Sequence, residues 1–292
     1  MFISDKPLAE KFTRLQEILR QMGSVIIGFS GGVDSSLVAW VAHAILGERM
    51  LAVTVRSPVE SPDETQLAID LARLGGFRHQ IIDMDDLADP IFAANPPDRC
   101  FHCKLRRFGA LKTLAQDQGL TWLADGTNAD DASDYRPGLR ALQEIGVRSP
   151  LAEAGLTKAD IRALAKALGL PNWNKPAAPC LATRFPYNTR LTHPEIERVG
   201  KAEHYLHESG FPGVRVRVHG DLARIEASPE DFGALLAMRE QIASHLNQLG
   251  YAYIALDLLG YRLGSMNETL RDNMNASARI NNPPELGESD HR

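Results

Sequence analysis

Residues 24–40, SVIIGFSGGVDSSLVAW, pass from an apolar run through Ser30-Gly31-Gly32 into an apolar pattern of helical period. SVIIGF (24–29) is long enough for a buried strand, and DSSLVAWVAHAILG (34–47) repeats as a helix does. A turn of small residues between strand and helix lets backbone N–H groups approach a phosphate, and the helix N-terminus adds positive potential. No Lys follows the glycines, so the turn is not a Walker loop. Asp34 falls in the first helical turn, where a carboxylate makes sense if it holds Mg²⁺ that bridges phosphates. A glycine-rich turn that binds nothing is the plain alternative. Ser30-Gly31-Gly32-Val33-Asp34-Ser35 directly after an apolar strand is the more specific pattern.

Outward from this stretch the first half alternates strands and helices. MLAVTV (50–55), HQIIDM (79–84) and TWLADG (121–126) read as strands. Ser61-Pro62-Asp63-Glu64 reads as a helix start, with Ser61 as N-cap and Glu64 closing a capping box, and the helix stops at Gly75-Gly76. KLRRFGALKTLAQDQG (104–119) and TKADIRALAKALGL (157–170, capped at Thr157) read as further helices. Such alternation predicts an α/β fold, a mostly parallel sheet with helices on both faces.

The proline-rich segment 171–189 breaks the pattern, and a smaller α+β domain follows. Helices are expected over 194–210 and 229–250. GVRVRVHG and LARIEAS alternate as two strands of a hairpin turning near Gly220-Asp221, and 251–260 reads as a strand. The expected domains are 1–175, 176–275, and a polar tail over 276–292 without structure. With 292 residues, 44% hydrophobic, 24% charged and a net charge of −5, the composition is that of a globular protein without a basic surplus for nucleic acid. No apolar run approaches the ~20 residues of a membrane span, and the start lacks signal-peptide character, so the expectation is a cytoplasmic chain without membrane or nucleic-acid partners.

DGTNADD (125–131) closes the fourth strand, at the end where open α/β sheets bind ligands. With SGGVDS it resembles the PP-loop ATP pyrophosphatases (the adenine nucleotide alpha hydrolase-like fold), which cleave ATP to AMP and pyrophosphate. The resemblance implies a nucleotide site made of Gly28, Ser30, Gly31, Gly32, Val33, Asp34 and Ser35. Val53, Thr54 and Val55 would meet adenine through their backbone, with Arg56 beyond. Asp125, Gly126, Thr127 and Asn128 would reach ribose or phosphates, and Asp130 or Asp131 would assist Asp34 with Mg²⁺.

Three cysteines remain to be explained. Cys100 and Cys103 stand in DRCFHCK, and Cys180 in KPAAPCLATR of the interdomain segment. This pattern, with the SGGVDS loop and the small C-terminal domain, is similar to the LarE family over about residues 10–275. The resemblance implies an ATP-dependent sulfur transferase of nickel-pincer nucleotide cofactor biosynthesis. It would adenylate a carboxylate of pyridinium-3,5-biscarboxylic acid mononucleotide and convert it to a thiocarboxylate, as a homo-oligomer, hexameric by resemblance. In one branch the cysteine matching Cys180 gives up its sulfur and becomes dehydroalanine. In another, three cysteines hold a [4Fe-4S] cluster, and this chain has that pattern. A structural zinc site closes with four ligands, whereas a cubane on three thiolates leaves one iron open to sulfide from a donor. A redox pair, or zinc completed by His102 or His79, stays open as an alternative.

In GVRVRV, Val214, Val216 and Val218 share one strand face and Arg215 and Arg217 the other. Two guanidiniums on one face suit a nucleotide phosphate, with Arg184 a third candidate; a solvated face is the plain reading. By resemblance Glu203 and Glu226 lie near the reacting centre, as catalytic residues with Cys180 and Asp34. A tRNA thiolase and an ammonia-using amide ligase share the PP-loop and compete as functions. The acidic composition speaks against the first, and the cysteines against the second.

Overall fold

The computed structural model describes residues 5–133 and 137–262. These fall into two units. One is built from the chain up to 182 with 188–197, the other from 183–187 with the chain from 198. The stretch 276–292, expected to lack structure, lies outside the described residues.

The first unit contains, in chain order, α1 (Lys6–Met22), β1 (Val25–Gly28), α2 (Val33–Leu46), β2 (Met50–Arg56), α3 (Pro62–Gly75) and β3 (His79–Asp83). Then come α4 (Pro90–Ala93), α5 (Arg99–Asp117), β4 (Trp122–Ala124), α6 (Pro137–Ile145), α7 (Pro150–Glu153) and α8 (Lys158–Ala167). The sheet is parallel, in the order β3-β2-β1-β4. Its strands read as continuous apolar runs because both faces are covered. Val25, Ile27, Met50 and Ala52 pack on one side with α1, α2, α3 and α8. Ile26, Leu51, Val53 and Leu123 pack on the other with Phe108, Leu111 and Ala115 of α5 and Leu142 of α6. Full burial of one such side chain is worth ~1.5–3 kcal/mol, so β1 and β2, apolar on both faces, anchor both layers at once. After β1 the chain moves to β2 and β3 on one side, then returns to β4 on the other. The strand order therefore reverses at the carboxyl ends of β1 and β4, where such folds bind ligands.

Helix starts differ from expectation at two places. Ser61 is the N-cap residue of α3 with Pro62 behind it, but its side chain makes no cap bond, and Glu64 pairs instead with Lys175. The capping box lies at Thr157 and Asp160 of α8, where Asp160 also takes an ion pair from Lys11 at 2.6 Å. The helix expected from Lys104 begins at Arg99, so Cys100 and Cys103 occupy its first turns rather than a preceding loop. Pro96 and Pro97 disfavour helix before this point, and the Arg99 and Phe101 amides bond back to Pro96 and Asp98.

Helix α9 (His193–Glu208) begins in the first unit and continues into the second, which adds β5 (Arg215–His219), β6 (Leu222–Glu226), α10 (Phe232–Ala237), α11 (Arg239–Gln248) and β7 (Tyr253–Leu256). The β5–β6 hairpin turns at Gly220, whose φ of 62° favours glycine, and β7 joins β6 in parallel. The helix expected over 229–250 is divided at Met238, where the backbone leaves helical geometry. Among the described residues no helix is long and apolar enough to cross a membrane.

Candidate active site

The phosphate loop is braced from within. The Phe29 amide bonds the Val53 carbonyl at 2.8 Å. Ser35 Oγ accepts from the Ser30 amide at 3.2 Å and donates to the Gly32 carbonyl at 3.2 Å. Gly31 has φ 72°, and a Cβ there would stand 3.3 Å from the Ala68 backbone. Thr54, expected to face adenine through its backbone, donates its hydroxyl to the Phe29 carbonyl at 2.7 Å, and the hydroxyl oxygen stands 2.8 Å from His79 Nε2. β1 ends at Gly28 opposite Val53, while β2 runs on to Arg56. The backbone of Val55, the next residue facing that side, thus lies beyond the β1 pairing. Arg56 forms an exposed ion pair with Asp83 at 2.5 Å.

The second loop approaches the first so closely that a Cβ on Gly126 would stand 2.8 Å from the Ser35 amide. Asp125 is buried and receives the Thr127 amide at 3.1 Å, the Thr127 hydroxyl, the Ser149 hydroxyl at 2.8 Å, and Lys104 Nζ at 3.6 Å. Asp131 accepts the Asn128 amide at 3.0 Å. Asn128 Nδ2 reaches Asp34 Oδ1 at 3.5 Å, and Lys158 forms an ion pair with Asp34 Oδ2. Asp34, Asn128 and Lys158 thus meet at the mouth of the phosphate loop. Lys158 was not a sequence candidate: it opens a helix far along the chain, and only the fold returns it to Asp34.

The cysteines come together in the first unit, with Cys103 within electrostatic reach of both Cys180 and Cys100. Cys103 Sγ stands 4.0 Å from Asp86 Oδ1. Asp86 is fully buried and takes Ser57 Oγ at 2.6 Å and Arg107 Nη2 at 2.6 Å, while Arg107 Nη1 holds Glu60 at 2.8 Å. Burial pushes the Cys103 thiol up to about 12, against the opposing pull of Arg107. Burial and Glu60 push Cys180 up to about 11, opposed by Arg99 and Arg107. Among the described residues no three His, Cys, Asp or Glu side chains converge on a point where one metal ion would sit. His102 pairs with Asp98 at 3.3 Å and His79 with Thr54, and among the described residues neither joins the cysteines in a group that could hold one metal ion. A cubane makes a different demand. Its thiolates bind separate irons, and its negative charge suits the neighbouring Arg99 and Arg107. Arg107 lies beside Cys103, and Arg99 and Arg107 lie beside Cys180, which is the positive charge such a donor set would call for.

In the second unit the Val/Arg alternation of β5 is present, but both faces are buried, so the solvated-face reading fails. Arg215 and Arg217 are each 5% exposed. Arg217 pairs with Glu226 at 2.8 Å, which also takes Arg224 at 3.1 Å. Arg184 grips Glu203 with two bonds of 2.7 and 2.9 Å, and Glu203 also accepts the Val216 amide at 2.8 Å. Burial lowers the Arg215 pKa, Glu203 opposes, and the like charges of Arg184 and Arg217 lower it further. The unit therefore holds guanidiniums and carboxylates together in its interior, with Arg184 and Arg217 each paired to a buried glutamate.

The profile of a family described as NAD synthase matches residues 9–100. Over 266 residues, 90% of this chain and 99% of the relative, the sequence is 41% identical to an uncharacterised protein of Synechocystis sp.. Over 264 residues, 90% of this chain and 96% of the relative, it is 42% identical to a pyridinium-3,5-bisthiocarboxylic acid mononucleotide synthase of Lactiplantibacillus plantarum. Over 182 residues, 56% of each chain, it is 30% identical to one chain of the glutamine-hydrolyzing GMP synthase of Pyrococcus furiosus.

Proposed function

Because the chain belongs to the LarE family of PP-loop enzymes, we propose that it makes the product for which its Lactiplantibacillus relative is named, pyridinium-3,5-bisthiocarboxylic acid mononucleotide. The chain is an ATP-using sulfur-transfer enzyme, and its PP-loop family works with ATP and Mg²⁺. On this reading a carboxylate of pyridinium-3,5-biscarboxylic acid mononucleotide attacks the α-phosphate of ATP, pyrophosphate leaves, and sulfur then displaces AMP. The product serves nickel-pincer cofactor biosynthesis.

The loop amides of residues 30–35 and the α2 N-terminus receive the phosphates. Asp34 would hold Mg²⁺ with help from Asp131, and Lys158 would exchange Asp34 for a phosphate oxygen when the nucleotide arrives. Gly28, Val53–Arg56 and Asp125–Asn128 line the nucleoside. Arg184, Arg215 and Arg217 hold the substrate phosphate, with Glu203 and Glu226 fixing the first and last of these. The observation that carries the sulfur step is that Cys103 lies within electrostatic reach of both Cys100 and Cys180, with Arg107 beside Cys103 and Cys180. A [4Fe-4S] cluster on these thiolates would supply an iron open to sulfide from a donor, the nucleophile that the acyl adenylate needs. The protein's part is to gather the thiols, shield them from water and supply balancing positive charge.

Two measurements test this reading. With the pyridinium substrate present, ATP should yield AMP and pyrophosphate, and Asp34→Ala should abolish turnover. Release of ADP and phosphate instead would remove the assignment. Protein purified without oxygen should be brown and carry about four irons per chain. The homo-oligomer expected of the family is read by light scattering on the same sample.

A further inference from the structure

The segment leading to Cys180 is fastened to the first unit at several points, and one of them is the phosphate loop itself. Asn172 is 5% exposed, and its Nδ2 donates to the Gly31 carbonyl at 2.9 Å and to Ser36 Oγ at 2.9 Å. Further along, Lys175 pairs with Glu64 in the first turn of α3. The Leu181 amide bonds the Val59 carbonyl at 2.8 Å, and Arg99 Nη1 donates to the Ala182 carbonyl at 3.2 Å. Asn172 Oδ1 is buried without a hydrogen-bond partner among the described residues. An unmet buried acceptor costs about 1–3 kcal/mol, so packing alone would favour an apolar side chain here. The two bonds from Nδ2 are what the amide contributes.

We infer that Asn172 is a positioning residue that orients the phosphate-binding face of the loop and couples that loop to the segment bearing Cys180. A trans peptide sets the carbonyl of Gly31 and the amide of Gly32 on opposite sides. Asn172 draws the carbonyl inward, which turns the Gly32 N–H outward, to within 3.4 Å of Ser30 Oγ on the exposed side of the loop. Gly31 holds this orientation with φ 72°, a conformation only glycine adopts freely, so the peptide is able to flip once its tether is lost. A flipped peptide would aim a carbonyl oxygen at the phosphates. Because the tether belongs to residues 172–182, whatever the nucleotide does to the Gly31–Gly32 peptide reaches the chain that ends in Cys180.

The inference rests on the reading that this loop takes ATP. The test uses the full chain and an ATP analogue that cannot be cleaved at the α–β bond, with Mg²⁺. Binding is followed by calorimetry, and backbone hydrogen exchange over residues 173–182 is followed with and without nucleotide. Wild type should bind the analogue and slow exchange in this segment. Asn172→Asp, which keeps the shape but loses the donor, should weaken binding at least tenfold, and the nucleotide should no longer alter exchange at 173–182. Should that variant fail to fold, Ser36→Ala removes only one of the two acceptors and should give a smaller loss of the same kind. A merely structural residue would raise exchange equally with and without nucleotide. Variants that bind as wild type and still pass the effect to 173–182 overturn the inference, as does a wild type that binds nucleotide with no change there. A wild type that binds no nucleotide overturns the functional reading beneath it.

Discussion

Arg184 and Arg215 are both buried arginines of the second unit, and their different partners call for different tests. Arg184 is locked on both oxygens of Glu203, itself 4% exposed. Removing one member of a buried pair strands the other, at about 3–5 kcal/mol. Arg184→Ala should therefore lower the stability read from urea unfolding by that much, and Arg184→Ala/Glu203→Ala should recover part of the loss. Burial is the main cause that lowers the Arg215 pKa, so its charge is unfavourable where it sits, and Arg215→Ala should cost less stability than Arg184→Ala. If it grips the substrate phosphate, the lost charged contact is worth ~1.5–3 kcal/mol, and KM for the pyridinium nucleotide should rise ten- to hundredfold. An unchanged KM would leave Arg215 without a role in binding. His79 supplies a pH test. Burial holds its pKa below the ordinary 6.5, so the unfolded chain takes the proton more readily. Stability is full above about pH 6.5 and falls as pH drops toward the lowered value. The thermal midpoint should follow that course, and His79→Gln should flatten it. The pairing of Val and Arg faces on β5 was legible in the sequence. That both faces are buried was not, because a period of two tells which residues share a face and not what covers it.

At the scale of elements, the two nucleotide loops depend on one close approach. A methyl at Gly126 would meet the Ser35 amide at 2.8 Å, and that contact is backbone, which cannot swing aside. Gly126→Ala should force the loop after β4 away from the start of α2, costing roughly 1–3 kcal/mol of stability, as overpacking does. ATP affinity should fall in the same variant, while Gly233→Ala in α10, where φ is not positive and a Cβ meets nothing within 4 Å, serves as a glycine control. Equal ATP binding by the Gly126 variant would separate the two loops functionally. The strands, the phosphate loop and the cap at Thr157 were legible because each is a local pattern. Lys158 was not, since its partner Asp34 is 124 residues away in sequence. The early start of α5 was hidden for another reason: the CxxC spacing draws attention as a ligand motif, while i and i+3 also share one face of a helix.

At the scale of the whole molecule, Cys103 and Cys180 come within electrostatic reach only because two distant stretches meet, and the decisive measurement of the proposed sulfur step is made on the whole chain. Cys180 is needed whether it holds a cluster or gives up its own sulfur, so its loss separates nothing. Cys100 and Cys103 do separate the mechanisms. If all three thiolates hold a [4Fe-4S] cluster, Cys100→Ala and Cys103→Ala should each lose iron, colour and activity together. Added sulfide should then support many turnovers by the wild type, and the intact mass should be unchanged afterwards. Burial bears on how such protein must be prepared. With Cys103 pushed up to about 12 and Cys180 to about 11, both sit as thiols at neutral pH when no iron is present. Iron must displace those protons, so loading should release protons and quicken as pH rises. If Cys180 is the donor instead, each chain reacts once per sulfur. Its mass then falls by that of H₂S as dehydroalanine forms, and Cys100→Ala and Cys103→Ala complete that single turnover at wild-type yield. A colourless, single-turnover protein with that mass loss would overturn the cluster and leave the adenylation proposal intact, because the roles proposed for Asp34, Lys158 and the loop amides are the same in either route.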